Sequence, residues 1–335
     1  MQDCITLDHG SGGGKTAELI ESVFLSAYGS EPLESLGDGA ILPGAETLVC
    51  STDSFVISPC FFPGGDVGKL SVCGTVNDVC MAGGKPLYLS VAMILEEGFP
   101  LDDLRRIAAS IAKTAKSCGV RVVTGDTKVV ERGHGDGIYI NTTGIGALRH
   151  AGLGPSAIRE GDAVLLSGTA GDHGTAVMLC RQELGLESGI QSDCAPLCGL
   201  CEALLPLGEG LRVLRDPTRG GVATTLCEFV EGSELCIELN ETDIPIRADV
   251  KNGCELLGLD PLYCANEGKL LAVVAPECEE EALHALQSAP DGLGKNAAVI
   301  GHVSRRGAGR VLLNTRIGGT RVLTKLQGAQ LPRIC

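Results

Sequence analysis

Residues 101–124 read LDDLRRIAASIAKTAKSCGVRVVT, and this stretch decides the fold class. Leu101 to Cys118 has one apolar face, with Asp102 and Asp103 in its first turn, where carboxylates suit the positive end of a helix. Gly119 stops it, and the β-branched run Val120 to Thr124 follows at once as a strand. Working outward, Lys15 to Tyr28 repeats the helix design, with Leu19, Ile20, Val23, Phe24 and Ala27 on one face and Gly29 as the stop. Leu48 to Thr52 and Ile138 to Leu148 read as further strands, so helix and strand alternate and the first half is α/β.

Arg149 to Gly161 is rich in glycine, proline and polar residues and leads into a new strand, Ala163 to Ser167, which places a domain boundary there. Beyond it the pattern predicts helices near Gly174 to Leu184, Pro196 to Leu205, Gly221 to Val230 and Glu277 to Gln287. Strands are expected at Leu235 to Leu239, Lys269 to Ala275 and Ala297 to Val303. A chain of 335 residues with 44% hydrophobic content and 47 glycines suits two compact α/β domains. From Val322 onward no helical pattern is present, and about 14 extended residues at ~3.3 Å each reach ~45 Å, enough for the thiol of Cys335 to cross a domain.

A net charge of −15 without a basic patch argues against nucleic acid or an anionic membrane as partner. No apolar run approaches the ~18 residues needed to span a bilayer. The sixteen cysteines are scattered through apolar segments, and the chain opens without a basic and apolar leader, so reduced thiols in the cytoplasm are expected. Cys194, Cys198 and Cys201 lack the second pair of a structural zinc site and read as packed thiols of an apolar helix.

Four acidic residues sit in short β-rich or glycine-rich motifs that end in turns: Asp38 in GDGA, Asp53 in STDS, Asp78 in TVND and Asp126 in GDTK. Carboxylates at loop tips can converge on one point, and hard oxygen ligands of this kind suit Mg²⁺ on a polyphosphate. Each alone is as well explained as a turn residue. His9 to Thr16 (HGSGGGKT) falls short of a phosphate-binding P-loop, lacking the first glycine and a solid preceding strand, and reads better as a glycine flap. Asp216 to Gly221 (DPTRGG) runs into a helix and offers amides and a guanidinium to an anion, or is simply a helix start. Glu267 in NEGK is a ligand, a base or a turn residue. His173 in GDHG reads as a loop hydrogen-bonder.

Taken together, these motifs, with FFPGG at 61–65, TGDTKVV at 124–130 and the final PRIC at 332–335, resemble the HypE family of hydrogenase maturation factors. That family lies in the superfamily of aminoimidazole ribonucleotide (AIR) synthetase and selenophosphate synthetase, and the resemblance covers nearly the whole chain. It implies a two-domain synthetase-like fold, α/β of the α+β type. Residues 1–150 would form an ATP-binding and dimerisation domain with a mixed sheet, 151–321 an α/β domain, and 322–335 a flexible tail ending in a reactive cysteine. It further implies ATP between the domains, against Gly37, Asp38, Gly39, Asp53, Asn77, Asp78, Thr127, Asp216, Arg219 and Gly220. Mg²⁺ would be held through the phosphates by Asp38, Asp53, Asp78 and Asp126.

The implied reaction is ATP-dependent dehydration of a carbamoyl group on Cys335 to a thiocyanate. Glu267 would be the base and Lys128 would steady the oxygen or phosphate. The implied partners are a second copy of the chain, the carbamoyltransferase HypF as donor, and HypC–HypD as acceptor of cyanide for the [NiFe] hydrogenase iron. A small-molecule kinase or synthetase of the same superfamily is the nearest alternative, and a thiol or metal carrier built on Cys194 to Cys201 the next.

Overall fold

The computed structural model describes residues 4–34, 39–181, 189–328 and 333–335. Its first half is a four-stranded sheet backed by helices. The strands are β1 (Leu48–Phe55), β2 (Gly84–Glu96), β3 (Arg121–Val130) and β4 (Ile138–Leu148), in the order β1-β4-β2-β3. β4 runs antiparallel to both neighbours and β2 runs parallel to β3, so the sheet is mixed. One face is covered by helices α2 (Val67–Met81) and α3 (Leu101–Ser117), the second being the helix read from residues 101–118. Its buried positions Leu104, Ile107, Ala108, Ile111 and Ala115 are spaced three or four apart, which points them all at the sheet. The N-terminal helical rod α1 runs on through Gly14–Leu19, a π-helical stretch Ile20–Leu25 and Ser26–Tyr28.

The other face is open. Leu48 is 53% and Ile94 44% exposed, and Thr52, Asn141 and Thr143 line the space between them.

The second half is built on a seven-stranded sheet. Its strands are β5 (Ala163–Leu166), β6 (Leu211–Arg215), β7 (Cys236–Asn240), β8 (Leu271–Val274), β9 (Ala298–Ser304), β10 (Arg310–Asn314) and β11 (Thr320–Leu323), ordered β11-β10-β7-β9-β5-β8-β6. Alternate residues of β5 and β8 face opposite cores, and nearly all are fully buried, as expected of strands covered on both sides. The helices are α4 (Asp172–Arg181), α5 (Cys198–Leu204), α6 (Gly221–Val230), α7 (Ala248–Leu257) and α8 (Glu279–Gln287). One core takes in Leu70 and Val76 of α2, Leu197 and Leu200 beside α5, and Leu165 and Ala272 of the large sheet, so it crosses between the halves.

Three placements correct the sequence reading. Asp53 and Asp126 lie within strands, and Asp78 lies in the last turn of α2, so none is at a loop tip. Helix α2 is buried on nearly every side, which leaves no apolar stripe to read. Residues 322 and 323, expected in the tail, belong to strand β11. Gly37 and Asp38 lie outside the described residues, as does the far end of the helix expected at Gly174 to Leu184.

Candidate functional site

The two halves are joined by a set of backbone-to-side-chain clamps that frame the candidate site. Asn77 on α2 donates to the Ala195 carbonyl at 3.1 Å and accepts from the Leu197 amide at 2.8 Å, so its side chain is spent on joining the halves. Asn266 ties three loops together. It accepts from the Gly171 amide at 2.7 Å and donates to the carbonyls of Pro217 and Cys264 at 3.0 and 3.1 Å. Asp193 accepts from the Glu267 amide and from Lys269, both at 3.1 Å. Burial, the largest influence, pushes the Asp193 carboxyl up, but Lys269, His173 and the Glu267 amide together outweigh it and the net value lies below the usual range. Gly268 is obligatory here, because a Cβ would fall 1.8 Å from the Asp193 carbonyl oxygen.

Four carboxylates face one another across this frame. Ser51 donates to Asp78 at 2.7 Å. Burial raises Asp78, and the charge of Asp53 adds to it, against the Ser51 bond and the charge of Arg215. Asp216 is pushed up to about 7, first by burial and then by Asp78. It does not cap the following helix, since α6 begins at Gly221 behind a left-handed Gly220 (φ 82°). The helix-start explanation of Asp216 therefore falls away. Glu267 is 3% exposed and its Oε1 has no partner. Its carboxyl is driven well above the ordinary value by burial, then by Cys194, Asp216, Asp193 and Asp53.

The tail is seated beside this group. The Val56 amide donates to the Cys335 oxygen at 3.1 Å, and Arg333 Nε donates to the Val56 carbonyl at 2.9 Å. The Arg333 guanidinium also pairs with Asp136, and Arg181 donates to the Arg333 carbonyl. Ile334 is 2% exposed, and its carbonyl accepts from His173 Nε2 at 2.8 Å. That fixes the His173 tautomer, with Nδ1 accepting from Ser192 at 2.7 Å, and burial holds the imidazole below its usual pKa and so neutral. The half-buried Cys335 thiol is pushed up to about 12 by burial and by Glu267, partly offset by Arg219.

Asp126 and Lys128 are not part of this group within one chain. Asp126 pairs in register with Ala92, which pairs with Asn141, and Asn141 pairs with Ser54, all on the open face of the small sheet. Asp53 pairs with Thr142, whose hydroxyl meets Thr75 of α2 on the opposite face. With three strand spacings of ~4.8 Å, β3 lies ~14 Å from β1, so the convergence of Asp126 with Asp53 and Asp78 fails. Asp126 instead binds Lys128 at 2.5 Å, which lowers its carboxyl pKa. Gly39, Thr127 and Asp126 line a different cavity of about 600 Å³ between α1 and the edge of the sheet. The clamp roles of Asn266, Asp193 and Lys269, and the His173 contact to the tail, escaped the sequence reading, because each depends on a partner far away in the chain.

A mixed-sheet domain joined to a larger α/β domain is the two-domain division of the AIR synthase related proteins. The model of that family's N-terminal domain matches residues 36–148, and the model of its C-terminal domain matches residues 159–314. The carbamoyl dehydratase HypE of Cupriavidus necator is 50% identical over 334 residues, covering 99% of this chain and 95% of that protein. The crystal structure of hydrogenase maturation protein HypE in complex with ATP superposes with a TM-score of 0.93 at 47% identity, over 98% of this chain and 99% of that one. A chain of the HypE–HypF complex matches with a TM-score of 0.80 at 48% identity, over 92% and 99%. The chain belongs to the HypE family of carbamoyl dehydratases within the AIR synthase related proteins.

Proposed function

We propose that this chain uses ATP to dehydrate a carbamoyl group carried on Cys335 to a thiocyanate, supplying cyanide for the iron of [NiFe] hydrogenase. The observation that carries the reading is the seating of the tail by His173 and Val56, which leaves the Cys335 thiol within the electrostatic reach of Glu267, whose Oε1 has no partner. An amide oxygen is a poor leaving group until it is phosphorylated, and the nitrogen must shed its protons. Glu267, whose environment strengthens it as a base, would take a proton from that nitrogen. His173 and the Val56 amide would hold the tail so that the carbamoyl nitrogen faces Glu267. Arg219, which acts electrostatically on Cys335, would stabilise charge developing on the oxygen.

The crowding of Asp53, Asp78, Asp216 and Glu267 leaves mutual repulsion that Arg215 only partly offsets, and an all-oxygen set in that state fits a hard divalent cation. Among the described residues no three ligating side chains close on a single point, so Mg²⁺ would come bound to the nucleotide, with Asp53 and Asp78 facing it. Its contribution would be to screen phosphate charge.

A thiol held near pKa 12 is a poor nucleophile, so loading by a HypF-type carbamoyltransferase would take place with the tail outside, and a HypC–HypD-type acceptor would meet it there. The open sheet face with Leu48 and Ile94 would pair with a second copy, bringing Asp126 and Lys128 to the seam. Among the described residues no helix is long and apolar enough to cross a membrane.

The test is mass spectrometry of the tail peptide after incubation with carbamoyl donor and ATP. Wild type should lose one water from carbamoylated Cys335, and Cys335→Ala should keep ATP binding yet give no thiocyanate. A carbamoylated Cys335 that never loses water under these conditions rejects the reading.

A further inference from the structure

Cys198 and Cys201 acquire partners on folding that their own helix cannot supply. They meet Cys80, in the last turn of α2, and Cys118, which caps α3, where three helices from the two halves come together. The Cys80 thiol donates to the Cys198 sulfur at 3.6 Å. A cavity of about 490 Å³ opens onto the group, lined by Cys80, Cys198 and Cys201 together with Lys85 and Arg149.

Cys198 is half-buried and accepts from the Cys80 thiol, and its thiol neighbours, Cys118 and then Cys80, hold it below the ordinary thiol pKa. Cys80 is the donor in that contact. The cavity wall carries Lys85 and Arg149 against the single carboxylate Glu202, a net positive lining that suits an anionic sulfur. A thiolate open to a small oxidant, with a protonated thiol touching it, is the arrangement in which oxidation is followed by resolution. Among the described residues no three thiols, imidazoles or carboxylates are set around one point as metal ligands would be. The arrangement therefore favours sulfur–sulfur chemistry over metal binding.

We propose that Cys80 and Cys198 are a peroxide-reactive pair that closes a disulfide between the two halves of the molecule. The Cys198 thiolate attacks one peroxide oxygen; an S–O bond forms, the O–O bond breaks, and the departing hydroxide takes the Cys80 proton to become water. The Cys80 thiolate then attacks the sulfenic sulfur of Cys198; the S–S bond forms, the S–O bond breaks, and the second hydroxide leaves as water with the proton Cys198 first gave up. Two thiols and one peroxide become one disulfide and two waters. The sulfurs need only close from 3.6 Å to the ~2.05 Å of a disulfide. A dithiol reductant reverses the step.

The test uses the reduced full-length chain and dilute hydrogen peroxide, with N-ethylmaleimide quenching and peptide mass spectrometry. We expect a linked Cys80–Cys198 peptide that disappears with dithiothreitol, a loss of two alkylatable thiols, and formation several-fold faster than oxidation of the exposed Cys4, Cys50 and Cys180. Cys198→Ser should abolish the link, and Cys80→Ala should leave a sulfenic acid at Cys198 that dimedone captures. Oxidation of the exposed thiols before any link forms, or a Cys80–Cys201 link in place of Cys80–Cys198, overturns the assignment in the wild-type protein without recourse to any variant. Stoichiometric zinc uptake that protects the four thiols overturns it in favour of a metal site.

Discussion

Shortening Ile334 to alanine should release the seated tail. Burying the isoleucine side chain contributes ~2 kcal/mol. Five hydrogen bonds, from Val56, Ser58, His173, Arg333 and Arg181, contribute ~1 kcal/mol each. Against this gain of ~7 kcal/mol, ordering three residues and their side chains costs ~6 kcal/mol. The seated state is then favoured by ~1 kcal/mol, about fivefold, so roughly 85% of tails are in. Removing the ~2 kcal/mol of apolar burial inverts the ratio and leaves roughly 15% in.

Two assays should move in opposite directions. Pulse alkylation of Cys335, read by mass spectrometry of the tail peptide, should become about fivefold faster, because only the released thiol is exposed and ordinary in pKa. Single-turnover thiocyanate formation from the carbamoylated chain should become about fivefold slower, because only the seated tail reacts. Unchanged alkylation in Ile334→Ala would show that this side chain does not hold the tail, and the reasoning from the seated geometry would be refuted.

Glu267→Gln should lower thiocyanate formation by about 10²- to 10⁴-fold while leaving ATP binding by calorimetry within a few-fold of wild type. Asp216 has a folded pKa of about 7 against an ordinary 3.8, so its contribution to stability is complete below the lower value and is lost as pH rises through the higher. Chemical denaturation of the nucleotide-free protein should show that decline between those values, and Asp216→Asn should flatten it. Asn77→Ala leaves the Leu197 amide unpaired and should cost about 1–3 kcal/mol, measured in urea. Gly268→Ala forces backbone apart at Asp193 and should abolish activity even where soluble protein is recovered, so an active Gly268→Ala variant would contradict the packing described.

The helix at Leu101–Ser117 and the strand at Ile138–Leu148 were legible because each buries one face and leaves a period in the sequence. Helix α2 was not, since thirteen of its fifteen residues are buried and polarity carries no phase there. That omission also misplaced Asp78. The motifs around Asp53, Asp216, Glu267 and Cys335 were legible as chemistry-bearing, but their meeting point depends on which strand lies beside which. Asp126 shows the difference: its motif looks like that of Asp53, yet it lies on the other face of the sheet, three strands away. Asp193 left no signal, and Asn266 was legible only as part of the NEGK motif and not as a clamp, because an ordinary loop residue becomes one only when loops distant in sequence are folded against it.

The apolar core that passes from Val76 through Leu200 to Ala272 has a kinetic corollary. A hinge between the halves would have to tear open that continuous oil-like seam at every cycle, at a cost far above the ~1 kcal/mol that holds the last three residues. The larger body can stay rigid while a short peptide comes and goes, and terminal segments of that size rearrange in nanoseconds to microseconds. Cargo exchange can then outrun the chemistry, leaving the bond-breaking step or the meeting with a partner to set the pace.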